Sequence, residues 1–112
     1  MTRDYLCHPF SNSPANLLRA RRWLAHLRAA RPDVEWVASW ITWAETGKFA
    51  GDEEAALDAC LAELATCDVI TVAGVEALAD LTPGQRREHA RALSLGLRVE
   101  CRLMVEPPVY FC

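Results

Sequence analysis

One stretch of the chain combines a buried strand, a loop and the start of a helix, and it constrains the fold most. The apolar run at residues 68–73 predicts the strand, and Thr82 predicts the helix start. Thr82 is a favourable N-cap residue, and Pro83 suits the first helical position, where a missing N–H costs nothing. Free N–H groups and the helix dipole at such an end attract anions. Glu88 lies about one and a half turns into this helix, which places a carboxylate near the same cleft.

Strand and helix patterns alternate along the rest of the chain. Strands are predicted at residues 5–7, 34–38, 67–73 and 97–104, and helices at residues 14–30, 52–66 and 82–95. Residues 39–51 are predicted to form a long connection, and residues 105–112 either a short fifth strand or a segment that docks on a partner. Alternation of this kind implies right-handed crossovers. We therefore predict a three-layer, Rossmann- or flavodoxin-like α/β fold with a mainly parallel sheet of four or five strands.

Length, charge and cysteine content narrow the class of protein. A chain of 112 residues predicts a single domain over residues 1–112, and a net charge of −3 gives no general attraction to nucleic acid or membrane. No apolar run approaches the length of a membrane span, and the start lacks a signal-peptide pattern. Five cysteines without a C-x-x-C pair favour a reduced, cytoplasmic protein. Cys67 and Cys101 lie in apolar runs and are predicted core residues. We predict no metal and no cofactor.

The predicted topology also locates a ligand crevice. In a flavodoxin-like sheet the first and third strands are adjacent, and ligands bind where the loops after them diverge. Those loops are residues 8–12 and 74–82. The aromatic side chains of Trp40, Trp43 and Phe49 suit stacking on a nucleobase, although packing in the core or in a dimer explains them equally well.

Three segments carry motifs of a known family, in the same order along nearly the whole chain. Tyr5-Leu-Cys-His-Pro-Phe-Ser11, followed by Asn16 and Arg19-Ala20, is similar to the opening Y-L-A-G-P-Y/F-S…N…RA. Cys67-Asp68-Val-Ile-Thr-Val is similar to the strand C/A-D-A/V-V. The helix at residues 82–96 is similar to S-x-G-x-x-x-E-x-x-x-A-x-x-x-G. These motifs resemble the nucleoside 2-deoxyribosyltransferase superfamily, which includes the 2′-deoxynucleoside 5′-monophosphate N-hydrolases.

The resemblance implies chemistry at an N-glycosidic bond. The family's helix glutamate attacks the anomeric carbon of a 2-deoxyribosyl group, or supports that attack, and Glu88 matches it. The base leaves, and water or a second base takes its place. A carboxylate nucleophile divides one difficult displacement into two easier ones. Spacing alone leaves another interpretation open, in which Glu88 faces solvent and pairs with Arg87 or Arg91.

The resemblance also suggests how substrate is bound. Family members that hydrolyse monophosphates tend to carry a serine six residues before the glutamate, where this chain has Thr82. Its hydroxyl, with Gly84, is predicted to bind a phosphate, and a role as N-cap alone stays open. Substrate-binding residues in the first loop are predicted to be Cys7, His8, Phe10 and Ser11, joined by Trp43 as a base platform.

Two departures from the family pattern bear on function. Cys7 and His8 stand where the family has a small residue and glycine. The family's second carboxylate falls on Cys60, whereas Asp58 lies two residues earlier and faces the opposite side of the helix, about 200° away. Asp58 is the candidate for that catalytic role only if the helix register shifts locally.

We therefore expect a protein that binds a nucleoside or nucleotide and cleaves its N-glycosidic bond or transfers its 2-deoxyribosyl group. The Asp58 departure supports an alternative, a non-catalytic nucleotide-binding or sensing module, and a structural domain with a vestigial pocket is a third. Family members often complete their sites with a neighbouring subunit's tail. Tyr110 and Phe111 therefore predict a homodimer or a larger homo-oligomer.

Overall fold

Parallel strands joined by helices build the whole sheet of this protein. The computed structural model describes residues 1–10 and 13–108. Its strands, which run in the order β2-β1-β3-β4, are β1 (Arg3–Cys7), β2 (Glu35–Val37), β3 (Val69–Ala73) and β4 (Arg98–Arg102). The helices are α1 (Pro14–Ala30), α2 (Ser39–Thr46), α3 (Glu53–Leu64) and α4 (Pro83–Ser94), with a short 3-10 helix at Leu78–Asp80. This arrangement confirms the predicted three-layer, Rossmann- or flavodoxin-like fold.

The two central strands set which side chains face which helices. β1 lies between β2 and β3, and Tyr5 is paired in register with Ile70 of β3. Because side chains alternate along a strand, neighbours in β1 belong to different faces. Tyr5 packs in the core under α3 and α4, whereas Leu6 packs against Trp23 and Leu27 of α1. The first turn of α4 and the end of β1 therefore meet on one side of the sheet.

Side-chain caps start three of the helices where the sequence predicts. The side chains of Ser13, Asp52 and Thr82 accept hydrogen bonds from the backbone N–H three residues later, at 3.3, 3.0 and 3.2 Å. These contacts satisfy donors that have no partner inside the helix. Pro14 and Pro83 then occupy first-turn positions, as expected.

Residues 39–51 differ from the prediction, because they contain a helix instead of a plain connection. α2 buries Trp40 and Ile41, and it ends at Gly47, whose φ of +68° is a left-handed conformation. Aromatic residues have only modest helix propensity, and an eight-residue helix is too short to show clear periodicity. Tertiary packing of the two buried side chains decides the local structure here.

The C-terminal end of the sheet is also less extensive than predicted. β4 stops at Arg102, and no fifth strand occurs in the described residues up to Pro108. The prediction that Cys101 is a core residue is wrong, because β4 is an edge strand and this side chain is exposed. Cys67 is buried, as predicted. Ser11, Tyr110 and Phe111 lie outside the described residues.

None of the helices among residues 1–10 and 13–108 has the length and apolar character that crossing a membrane requires. The four cysteines of this part of the chain, Cys7, Cys60, Cys67 and Cys101, are free thiols.

Gly74, just after β3, allows the loop after β1 to lie close to the sheet. Its φ is +85°, and a Cβ built on it would lie 2.5 Å from Cδ2 of His8 and 2.7 Å from Cδ of Pro9. Atoms cannot approach so closely, so only glycine fits between the loops after β1 and β3. This contact is where the two loops of the predicted crevice converge.

We expect Gly74→Ala to lower the free energy of unfolding by more than about 2 kcal/mol, because it adds a steric clash to the usual cost of a left-handed residue. Gly96→Ala is the matched control, since Gly96 has a φ of +74° and a Cβ there would meet nothing within 4 Å. Urea unfolding of both variants measures the difference. Equal losses would contradict the close packing of His8 and Pro9 on Gly74.

Candidate functional site

A buried glutamine fixes the start of α4 over the ends of the two central strands. Gln85 is 1% exposed, and its Nε2 donates to the carbonyl oxygens of Cys7 and Ala73 at 3.3 and 3.2 Å. Its Oε1 accepts from the backbone N–H of Thr82 at 3.1 Å, while the Gln85 N–H donates to the Thr82 hydroxyl. These contacts form a capping box that is tied to β1 and β3.

Glu88 lies one turn beyond Gln85 and faces the same buried region. It is 7% exposed, and its carboxylate accepts a hydrogen bond from the Tyr5 hydroxyl of β1. Burial raises the pKa of Glu88 to about 7, while hydrogen bonds from Tyr5 and Cys7 act in the opposite direction. The interpretation of Glu88 as a solvent-facing carboxylate is wrong, because helix packing buries it. A carboxylate with this pKa exists in both protonation states near neutral pH.

Cys60 lies next to this contact. Its thiol on α3 is beside the Tyr5 hydroxyl, which donates to Glu88. Burial, followed by the charge of Glu88, raises the pKa of Cys60 to about 12 and raises that of Tyr5 well above its usual value. Both groups therefore remain protonated. Sequence reasoning did not assign a role to Tyr5, although a hydroxyl-bearing ring in an apolar strand needs a buried partner.

A cavity of about 550 Å³ opens above Glu88, between the first loop and helices α2, α3 and α4. Six residues predicted for the site line it together: His8, Phe10, Trp43, Thr82, Gly84 and Glu88. Cys7 was predicted to touch substrate. Its thiol instead donates to the carbonyl oxygen of Gln85 at 3.9 Å, and Cys7 is not among the lining residues.

The structure places Asp58 away from this cavity. Asp58 is exposed, whereas Glu53, Leu57 and Cys60 of the same helix line the wall. Glu53, Leu57 and Cys60 are four and three positions apart, so they share one face of a regular α-helix. Because α3 is regular over these residues, no register shift brings Asp58 to that face. The position expected to hold a second carboxylate therefore carries the thiol of Cys60.

His8 contributes a neutral ring to the cavity. It is 4% exposed, and it stacks on Trp40 with ring centroids 6.3 Å apart. Its Nδ1 donates to the carbonyl oxygen of Pro9 at 2.9 Å, which leaves Nε2 as an acceptor without a partner in the described structure. Burial lowers the pKa of His8 to about 4, so the ring is uncharged near neutral pH. His8 is therefore no cationic partner for a phosphate.

The first turn of α4 keeps two hydrogen-bond donors for an anion. Thr82 is an N-cap, as predicted, and its hydroxyl accepts from Gln85, so its own proton remains available to a ligand. Pro83 has no N–H, and the Gly84 N–H makes no hydrogen bond to the described residues. Arg87 lines the cavity next to them and forms no ion pair within the described chain. A guanidinium beside two neutral donors suits a phosphate.

Aromatic rings form the remaining wall. Trp43 and Phe49 meet edge to face with centroids 5.4 Å apart, and the Lys48 ammonium lies 5.2 Å and 5.4 Å from their respective centroids. On the other side, Phe10 packs against Trp40 at 5.5 Å. These rings provide flat apolar faces on which a heterocyclic base can stack.

A second depression of about 660 Å³ lies between α1, α2 and β2. Four of its charged side chains form two ion pairs, Arg3 with Glu35 at 2.6 Å and Arg21 with Glu45 at 2.8 Å. It lies beside strand β2, away from the crevice above β1 and β3, and it contains no buried titratable group. The cavity above Glu88 is therefore the better candidate for chemistry.

The chain matches no protein-family model, and no curated protein shows significant similarity to its sequence. The resemblance to the nucleoside 2-deoxyribosyltransferase superfamily therefore stays a prediction. No group of three metal-ligating side chains occurs among residues 1–10 and 13–108.

The raised pKa of Glu88 predicts a pH-dependent gain in stability for Glu88→Gln, which keeps an acceptor for Tyr5. The folded pKa of about 7 exceeds the ordinary value of 4.5, so the Glu88 contribution is complete below pH 4.5 and is lost as the pH rises through 7. Over this range the free energy of unfolding of the variant should increase relative to that of the wild type, by on the order of 3 kcal/mol at pH 8.

Urea unfolding of both proteins at several pH values measures this difference. Glu54→Gln, at an exposed position on α3, should show no comparable trend. A constant difference between pH 4.5 and 8 would show that Glu88 is not held in a desolvated site.

Proposed function

We propose that this protein cleaves the N-glycosidic bond of a nucleoside or nucleotide, by hydrolysis or by 2-deoxyribosyl transfer, with Glu88 as the nucleophile. The observation that carries the proposal is the buried Glu88 carboxylate at the floor of an aromatic-walled cavity, held by the Tyr5 hydroxyl. A pKa of about 7 leaves a substantial ionised fraction at neutral pH. The resemblance of the helix motif to the superfamily points to the same residue.

The proposed reaction has two displacement steps. An ionised oxygen of Glu88 attacks the anomeric carbon, the bond from that carbon to the base nitrogen breaks, and a glycosyl ester forms. Water, or a second base, then attacks the same carbon and releases the carboxylate. Tyr5 serves as a positioning residue in this scheme, because its hydroxyl fixes one carboxylate oxygen without touching the cavity.

The anion corner at α4 supports a phosphorylated substrate. The Thr82 hydroxyl, the Gly84 N–H and the Arg87 guanidinium belong to the first two turns of one helix and border the same cavity. In the proposed complex they bind the 5′-phosphate, and the rings of Trp40, Trp43 and Phe10 contact the base. The sugar then lies between them, above Glu88.

A non-catalytic nucleotide-binding or sensing module is the second candidate function. The observation that favours it is the thiol of Cys60 in place of a second carboxylate, with Asp58 exposed outside the cavity. A binding module would show a ligand-induced rise in melting temperature without release of base. A cytoplasmic location and a homo-oligomeric state belong to the proposal as well, and the free thiols of the described cysteines suit a reducing compartment.

We expect Glu88→Gln to reduce base release by at least about a thousandfold while ligand binding is largely retained, because the variant keeps shape but loses the attacking charge. Asp58→Asn is the matched control and should act at nearly the wild-type rate, since Asp58 lies outside the cavity. Chromatography of deoxynucleosides and monophosphates after incubation measures the released base.

Wild-type turnover in Glu88→Gln would rule out the nucleophile assignment. Absence of release by the wild-type protein, together with a thermal shift, would favour the binding module.

The anion corner predicts that a monophosphate binds about ten- to a hundredfold more tightly than its nucleoside. This ratio corresponds to the free energy of one charge-assisted hydrogen bond. Thr82→Val removes the hydroxyl and should reduce this preference, whereas Thr82→Ser keeps the hydroxyl, the helix cap and the preference. Calorimetry with both ligands and all three proteins tests the assignment. Equal affinity of the wild type for both ligands would limit Thr82 to its role as a helix cap.

A further inference from the structure

The described residues that line the cavity include no suitable acid for a departing base. A neutral purine or pyrimidine must gain a proton as it leaves, and a positioned acid contributes about 10²–10⁴-fold to such a step. Of the described lining residues, Arg87 does not release its proton, and His8 is neutral with its Nδ1 proton directed at Pro9. Glu88 is used as the nucleophile. Glu53 is exposed on the first turn of α3, in contact with solvent.

Cys60 stands where an acid would be expected, and its thiol lies beside the Tyr5 hydroxyl, whose own proton is donated to Glu88. Transfer of the Cys60 proton to a base would leave a thiolate beside the Glu88 carboxylate. Burial and that negative charge both oppose this, which is why the pKa of Cys60 is about 12. The Tyr5 hydroxyl therefore orients Glu88, and Cys60 supplies no proton to the substrate.

The charges of the cavity indicate what it accepts. Its described lining carries the carboxylates of Glu53 and Glu88 and the guanidinium of Arg87 at the anion corner, and the Lys48 ammonium lies beside it, over Trp43 and Phe49. A phosphate bound at that corner leaves the Glu88 carboxylate, which forms no ion pair within the described residues, at the floor of the cavity beneath the sugar and base. Trp40 and Phe10 add aromatic faces, which attract cations. A ligand that is anionic at one end and cationic at the other matches this distribution.

We infer that the substrate class is a nucleoside 5′-monophosphate whose base is an N-quaternised, cationic heterocycle of the pyridinium type. This inference rests on the proposed function. As Glu88 attacks, the bond from the anomeric carbon to the ring nitrogen breaks, its electron pair passes to the nitrogen, and the positive charge disappears. The heterocycle leaves neutral, so it takes no proton. Water then hydrolyses the glycosyl ester, and one proton is released to solvent.

The test compares base release from nicotinamide nucleoside 5′-monophosphates, with ribose or 2-deoxyribose, and from deoxyadenosine and thymidine 5′-monophosphates. The wild-type protein should cleave the better nicotinamide substrate with a kcat/KM at least about a hundredfold above that of either neutral-base substrate. This factor is the smallest contribution that a positioned general acid usually makes to the departure of a neutral base. Its rate should rise with pH to a plateau above about pH 7, without a falling limb, since only the ionised Glu88 is required.

A second comparison uses Cys60→Asp, which places an acid at the cavity wall, and Cys60→Asn as its matched control. The ratio of neutral-base to nicotinamide cleavage should be at least tenfold higher in the Asp variant. The wild-type comparison is decisive even if a variant fails to fold.

Two results would overturn the inference in different ways. Cleavage of a neutral-base monophosphate within tenfold of the nicotinamide substrates would refute the cationic substrate class and leave the proposed function standing. Absence of base release from all four substrates, with Glu88→Gln as the blank, would refute the proposed function and the inference with it.

Discussion

The side chain of Gln85 is the contact on which the geometry of the candidate site depends. It joins the carbonyl oxygens at the ends of β1 and β3 to the first turn of α4. In a buried setting such bonds cannot be exchanged for bonds to water, so α4 has one position relative to the sheet. The helical rise then carries Glu88 to a defined place above Tyr5. The first two turns of α4, with Thr82, Gly84 and Glu88, are thus held in one position relative to the central strands.

Burial of Glu88 opposes the stability of its charged form, and the surrounding groups offset only part of that cost. The donors that face the carboxylate are the Tyr5 hydroxyl and the Cys7 thiol, both uncharged. A neighbouring cation would hold the carboxyl group ionised. Neutral donors instead orient the carboxylate and leave its pKa raised, and perturbed pKa values of this kind cluster at functional sites.

The sequence predicts well those features that local chemistry controls. The capping residues Ser13, Asp52 and Thr82, with the prolines that follow two of them, locate three helix starts. Alternation of strands and helices is sufficient for the sheet order. Prediction failed where tertiary contacts decide: α2 forms because the sheet buries Trp40, and Cys101 is exposed because its strand lies at an edge. The Tyr5–Glu88 contact joins segments that are distant in the sequence, so no local pattern predicts it.

The hydrogen bond between Tyr5 and Glu88 joins residues 83 positions apart, and this separation affects how the protein folds. During synthesis β1 emerges first, yet its central neighbour β3 follows more than sixty residues later, in the register that pairs Tyr5 with Ile70. Long-range parallel pairing forms slowly, because the chain loses the entropy of loop closure before it gains the contacts that offset this loss. Glu88 reaches Tyr5 only after α4 has been synthesised. A truncated or partly folded chain therefore lacks the assembled candidate site, so the proposed activity requires the completed fold.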